Sequence, residues 1–168
     1  MVRKARINEL DQIMNIYAYA QKFMASHDNP TQWGTSHPSR EMIEADIHNG
    51  ECNVVYDICE TEMSSVIYGV FFFRAANDPT YDYIEGQWLN DESYGVIHRI
   101  ASDGSHKGVL EEAINYGRQF TNNIRIDTHE NNYVMQNALE KKGFAKCGII
   151  YLEDGDPRVA YHKCYRDE

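Results

Sequence analysis

The chain has 168 residues, enough for one compact domain with a core and a ligand cleft, so a single domain over 1–168 is expected. With 42% hydrophobic residues, four prolines and no low-complexity tract, it has the composition of a folded protein and not of a disordered one. A formal charge of −10 repels nucleic acid and anionic lipid, which argues against both as main partners and suits a cationic ligand.

The opening Met1-Val2-Arg3-Lys4-Ala5-Arg6-Ile7 is basic but has no apolar region behind it, and no apolar stretch is long enough to span a bilayer. Val2 to Ile7 reads as a short first strand. Asn8 is the expected N-cap of a helix striped by Leu10, Ile13, Met14, Tyr17, Ala20 and Met24. Asp28-Asn29-Pro30 breaks that helix, a loop carries Gln32, Trp33 and His37, and Pro38-Ser39 opens a second helix that ends at Asn49-Gly50. Cys52 to Ile58 and Val66 to Arg74 read as an antiparallel hairpin, in which Phe71-Phe72-Phe73 is sheet core.

Asn77-Asp78-Pro79 is a turn signal, followed by an alternating stretch from Tyr81 to Trp88. Gly95 to Ala101 has the length and β-branching of a buried strand, and Ser102 to Gly108 turns the chain into a helix that starts near Val109. A strand from Ile124 to Thr128 precedes a helix from about Asn132 to Lys142, with Gly143 as its left-handed cap. Cys147 to Leu152 and Arg158 to Cys164 form a terminal hairpin. The fold class is therefore a mixed α/β (α+β) sheet, mostly antiparallel with a parallel pair in the middle and about four flanking helices.

Cys52, Cys59, Cys147 and Cys164 have no C-x-x-C pairing and no histidine at zinc spacing, so free thiols, no metal and a reducing cytoplasm are expected. The glycine turn suits phosphate: its N–H groups converge, the first turn of the next helix leaves more of them unpaired, and Lys107 and His106 add positive charge. The sequence lacks both Gly-x-x-x-x-Gly-Lys-Ser/Thr and Gly-x-Gly-x-x-Gly, which argues against a nucleotide-binding α/β domain.

Two stretches resemble the GNAT (GCN5-related N-acetyltransferase) family: Ile124-Arg125-Ile126-Asp127-Thr128-His129-Glu130-Asn131-Asn132, and Leu139-Glu140-Lys141-Lys142-Gly143-Phe144. The resemblance spans nearly the whole chain. It implies a GNAT-like acyl-CoA N-acyltransferase fold whose splayed central strands hold acetyl-CoA, with acetyl passing to an amine by direct attack in a ternary complex. It further implies that the N–H groups of Ser105, His106, Lys107, Gly108, Val109 and Leu110 hold the pyrophosphate. The family loop, Gln/Arg-x-x-Gly-x-Gly/Ala, is met at Gly108 but has Ser105 and Leu110 at its ends. The thioester would lie against the strand ending at Ala101, with an N–H near Ile100 as oxyanion donor, and Asn132 would lie beside the pantetheine arm. The tyrosine that many members use to protonate the thiolate is replaced by Leu139, with Tyr133 a candidate substitute.

The attacking amine must first lose a proton. His98, on one face with Val96 and Ile100, is the first candidate base, against the alternative of a core histidine; Glu92 and Glu85 follow. Trp33, Trp88, Tyr81 and Tyr83 are candidates for an acceptor pocket, against ordinary packing. His129-Glu130 reads as a cap or surface pair, and Glu111-Glu112 as helix-dipole partners. The acceptor is left open between a small-molecule amine and a protein amine, and a homodimer is the commonest symmetric assembly. A non-catalytic acyl-CoA-binding or regulatory module is the alternative reading.

Overall fold

The computed structural model describes residues 1–166. Strands β1 (Val2–Lys4), β2 (Cys52–Cys59), β3 (Ser64–Arg74), β4 (Glu85–Gly86), β5 (Gly95–Ser102), β6 (Asn123–Thr128), β7 (Ala145–Tyr151) and β8 (Pro157–Cys164) form one eight-stranded sheet in the order β1-β2-β3-β5-β6-β8-β7-β4. Every neighbouring pair is antiparallel except β5 and β6. Helices α1 (Leu10–Ser26) and α2 (Arg40–His48) cover one face, where Leu10, Ile13, Ile16 and Ile43 pack on Val54, Val70 and Ala101. The other face belongs to α3 (Val109–Gly117) and α4 (Tyr133–Lys141), where Val109, Ala113, Ile114 and Leu139 pack on Phe71, Phe73, Ile97, Ile124 and Ile126. No helix among the described residues is long and apolar enough to cross a membrane.

Local chemistry explains most of the boundaries. Ser39 caps α2 by accepting from the Met42 N–H at 3.2 Å, and Asn132 caps α4 by accepting from the Met135 N–H at 3.1 Å. At the far end of α4, Gly143 adopts φ 83°; its N–H donates to the Glu140 carbonyl while the Phe144 N–H reaches back to Leu139, the double bond of a Schellman ending. Asn8 is not the cap of α1. A 3-10 turn over Ile7–Glu9 comes first, and the Glu9 carboxylate accepts from the Arg6 N–H at 2.8 Å and binds Arg3 at 2.6 Å. β1 is correspondingly shorter than the sequence suggests. Of the stretch Tyr81–Trp88 only Glu85–Gly86 pairs with the sheet, because Asp78 caps a 3-10 turn over Pro79–Tyr81. Tyr81 and Trp88 of that segment fold inward and are buried with Tyr94, Val96, Ile150 and Ala160.

His162 ties this third cluster to β6. Its Nδ1 accepts from the Leu89 N–H at 3.2 Å and its Nε2 lies 2.9 Å from Asn123 Oδ1, a pairing that fixes the neutral ring with the proton on Nε2. Burial, helped by the Arg125 charge, pushes its pKa down to about 4. An ordinary histidine titrates near 6.5, so the unfolded chain takes up a proton that the folded chain refuses. Stability is therefore expected to fall as pH drops from about 6.5 through about 4, by about 3 kcal/mol from this group. Denaturant titrations at stepped pH should show His162→Gln losing most of that slope.

Candidate active site

The parallel pair is short. Gly95 pairs with Ile124 and Val96 with Arg125, after which β5 and β6 separate. Against its other neighbour β5 carries a bulge: Val70 faces Ala101 and Phe72 faces His98, so Arg99 and Ile100 both stand against Phe71. Arg99 has φ 50°, a left-handed conformation costing a non-glycine residue about 1–2 kcal/mol. Three contacts hold it there. Its carbonyl accepts from the Tyr17 hydroxyl of α1 at 2.8 Å, its guanidinium pairs with Asp46 of α2 at 2.9 Å, and it lies 4.5 Å over the Phe72 ring. The bulge also reverses the strand's alternation. Val96 packs in the Tyr81–Trp88 cluster and Ile100 against the α3/α4 core, so the expectation that His98 shares a face with Ile100 fails.

Where the strands part, a cavity of about 920 Å³ opens. It is bounded by the α1–α2 segment (Gln32, Trp33, His37), by residues 97–100 of β5, by Ile126, Asp127 and Thr128 of β6, by Asn132 and Met135 of α4, and by the β7–β8 turn with Arg158. It reaches from the α1/α2 side to the α4 N-terminus. Seven carboxylate side chains line it against three guanidinium groups, a local excess of negative charge in keeping with the whole chain.

His98 lies in this cavity between two carboxylates that the sequence reading did not single out. Its Nε2 is 2.7 Å from Asp78 Oδ2, and its Nδ1 is 3.4 Å from Asp127 Oδ1. Only the first is a hydrogen bond of normal length. Asp127 is already engaged by the Tyr81 hydroxyl at 2.6 Å, and Asp78 accepts from the Thr80 hydroxyl at 2.7 Å and N–H at 3.0 Å. Burial pushes the Asp78 carboxyl up, but its bonds from His98 and Thr80, with the His98 charge, outweigh that and bring it down to about 2. In sequence Asp78 marks only a turn. For Asp127 a signal was present: Arg125 and Asp127 alternate in an otherwise apolar strand, which puts two charges on one face.

The other expected residues divide. Ile100, Ala101 and Asn132 lie at the splay; the Asn132 amide also donates to Gln32 Oε1 at 3.0 Å, tying α4 to the α1–α2 segment. Glu92 does not reach the cavity: it binds Arg166 and, at 3.2 Å, Asn123. Glu85 lies on the exposed edge strand β4, and Tyr133, 62% exposed, is also outside the cavity lining. Trp33 lines the cavity and packs on Tyr17, whereas Trp88 and Tyr81 are packing residues and Tyr83 is exposed. His129 accepts from the Asn131 N–H at 3.0 Å, a loop-closing role.

The glycine turn lies outside the cavity lining, at the start of α3. Its first half is closed: Asp103 Oδ1 accepts from the Ser105 N–H at 2.8 Å, Ser102 Oγ from the Gly104 N–H at 3.1 Å, and Gly104 sits against Tyr19. Ser105 therefore has another acceptor for its N–H. The second half is open. Gly108, at φ 92°, has no atom within 4 Å of where a Cβ would be, and the N–H groups of His106, Lys107 and Gly108 have no partner among the described residues. Leu110 is packed against the α3/α4 core, so its bulk is absorbed there. Gly69 lets α3 sit this close to the sheet, since a Cβ on it would meet Val109 Cγ2 at 2.6 Å. This half-turn fits a diphosphate, and Thr128 Oγ1, buried at the splay without a partner among the described residues, offers a further polar contact.

Comparison with known proteins agrees with this fold. A crystal structure of a GNAT-family acetyltransferase from Streptococcus agalactiae 2603 superimposes with a TM-score of 0.80 at 32% identity, over 98% of this chain and 94% of the other. The chain belongs to the GNAT family. GNAT-family acetyltransferases from Bacillus cereus ATCC 10987 (21% identity, TM-score 0.64, 98% and 96% of the chains) and Listeria monocytogenes 4b F2365 (18%, 0.66, 98% and 94%) share the fold. No family model matches the sequence, and no curated protein does. In this GNAT protein the Arg99 bulge depends on the buried Asp46 pair. Asp46→Ala should strand the guanidinium and cost about 3 kcal/mol in denaturant unfolding.

Proposed function

We propose that this GNAT protein transfers acetyl from acetyl-CoA to the amine of an acceptor bound in the cavity, by direct attack within a ternary complex. The observation that carries this reading is the His98–Asp78 pair, set on β5 beside the bulge at Ile100 and facing the cavity. Acetyl-CoA would supply an acyl group already activated as a thioester. The N–H groups from His106 to Leu110, with the Lys107 ammonium, would hold its diphosphate, and Asn132 would lie along its pantetheine arm.

The bulge leaves one residue more on β5 than β3 can pair, and the N–H near Ile100 is the proposed donor to oxygen charge developing next to it. The acceptor enters as an ammonium, drawn by the carboxylate excess, and must be deprotonated. Asp78, ionised at neutral pH, accepts a hydrogen bond from His98 Nε2–H and so fixes the tautomer, leaving Nδ1 with its lone pair. Because its contact with Asp127 is long, Nδ1 can turn to an acceptor ammonium or a bridging water and accept the proton. The acid position of the helix is Leu139, which is fully buried, so the thiolate is proposed to leave unprotonated; its ordinary pKa near 8.5 permits this.

The reading is tested by steady-state release of free CoA with a panel of amines. Turnover with at least one amine is expected. CoA binding without turnover of any amine would favour the non-catalytic module instead. His98→Ala should lower kcat/KM about 100-fold or more, and Asp78→Asn by a similar order through the wrong tautomer, with CoA affinity unchanged in both. Gly108→Trp should abolish CoA binding in calorimetry while leaving the fold intact apart from the about 1–2 kcal/mol of backbone strain at that φ. Unchanged affinity would remove the diphosphate from this turn.

A further inference from the structure

The three guanidinium groups of the cavity are not equivalent. Arg74 is held by Glu51 at 2.8 Å and Arg99 by Asp46 at 2.9 Å, each paired with one carboxylate through Nε and Nη2. Arg158, at the start of β8, is only 7% exposed, yet among the described residues its hydrogen bonding amounts to one bond from Nη1 to the Pro157 carbonyl at 2.8 Å. Its nearest carboxylate is that of Asp156, 3.9 Å away and 62% exposed, too far for a hydrogen bond. Glu153 and Asp154 lie on the same rim, but no bond joins either to Arg158 among the described residues. Most of the five N–H groups of this guanidinium are therefore unused by the described residues and face the cavity, and its planar fork matches a carboxylate.

The sheet register puts this fork near the base. Asp127 faces Ala160 across the β6–β8 pair, so Arg158 is the diagonal neighbour of Asp127 on the same face, roughly 7–8 Å away between Cα atoms. Asp127 in turn touches His98. The cavity thus presents Asp78, Asp127 and His98 at one end and the Arg158 guanidinium at the other, on a rim that also carries Glu153, Asp154 and Asp156.

On the proposed transferase reading, we infer that the acceptor is a small amino acid or a close analogue, with its ammonium at Asp127 and His98 and its carboxylate on Arg158. A protein lysine or a polyamine has no group that uses Arg158 in this way.

The test is calorimetric and needs no catalysis. The proteinogenic amino acids and their decarboxylated amines are titrated into the intact protein and into Arg158→Gln. At least one amino acid is expected to bind, with its decarboxylated amine about 10- to 100-fold weaker, the usual value of a hydrogen-bonded charge. Arg158→Gln should bring the amino acid down to the level of the amine and leave the amine itself unchanged, and Arg158→Lys should recover part of the loss. The inference is overturned if no amino acid binds, if the decarboxylated amine binds equally well, or if Arg158→Gln changes nothing. Should that variant fail to fold, the wild-type comparison of acid with amine still decides. Turnover of amines without a carboxylate, at rates insensitive to Arg158→Gln, would sink this inference and leave the transferase reading standing. CoA release from no amine, with amino acids still bound through Arg158, would sink the transferase reading and leave only the amino-acid site at Arg158.

Discussion

The site depends on the way Arg99 is held. The ladder of β5 with β6 ends at Val96, and a few residues further on, at Arg99–Ile100, β5 gains a residue in its register with β3. The left-handed backbone at Arg99 is unfavourable by itself. What maintains it comes from elsewhere in the chain: the Tyr17 hydroxyl from α1, the Asp46 carboxylate from α2 and the Phe72 ring from β3. Helices α1 and α2 therefore do more than cover a face of the sheet. They fix the conformation of the strand on which His98 and Ile100 sit, and on the proposed reading a loosened α2 would be felt as a misplaced base.

The bulge also sorts chemistry between the two faces. Before it, the even-numbered residues of β5 look toward the α1/α2 side, where the carboxylates are; after it, Ile100 looks toward α3 and α4. A chain with ten excess negative charges can thus keep the proposed phosphate cradle on one side and the carboxylates of the proposed acceptor cavity on the other, with the sheet between them. The cradle is only half a turn. Asp103, a carboxylate placed where an anion is expected, is bound to the N–H and hydroxyl of Ser105, which leaves the part from His106 onward to act.

What was legible in the sequence is what repeats locally. Helix stripes, the Gly143 ending and the parallel pair in mid-sheet follow from periodicity and turn chemistry, and the resemblance at Ile124–Asn132 is carried by a contiguous segment. What was not legible depends on neighbours far along the chain. Nothing in the sequence near Arg99 marks a bulge, since the residue is stabilised by partners 82 and 53 positions away. Asp78 looked like a turn residue because it is one; that it also meets His98 appears only when the 77–81 segment folds over β5. Glu92 was plausible by type, and its place at the surface was set by Arg166 and Asn123, beyond local inference.

The loss of the helix tyrosine bears on where protons must move. Leu139 is fully buried on the core side of α4, while the polar residues of that helix serve the fold: Glu140 accepts from the Tyr161 hydroxyl at 3.2 Å and Gln136 donates to the Glu130 carbonyl at 2.8 Å. Helix α4 is thereby left with Asn132 as its one proposed contact to the reaction. On the proposed reading this is tolerable because the two proton transfers are unequal. An alkylammonium resembling that of lysine holds its proton to a pH near 10.4 and cannot attack until a base removes it, whereas a thiol near 8.5 makes a leaving group that can depart charged. The transfer that cannot be omitted falls at His98, on the opposite face of the sheet from α4, and there the structure concentrates its buried carboxylates and its strain.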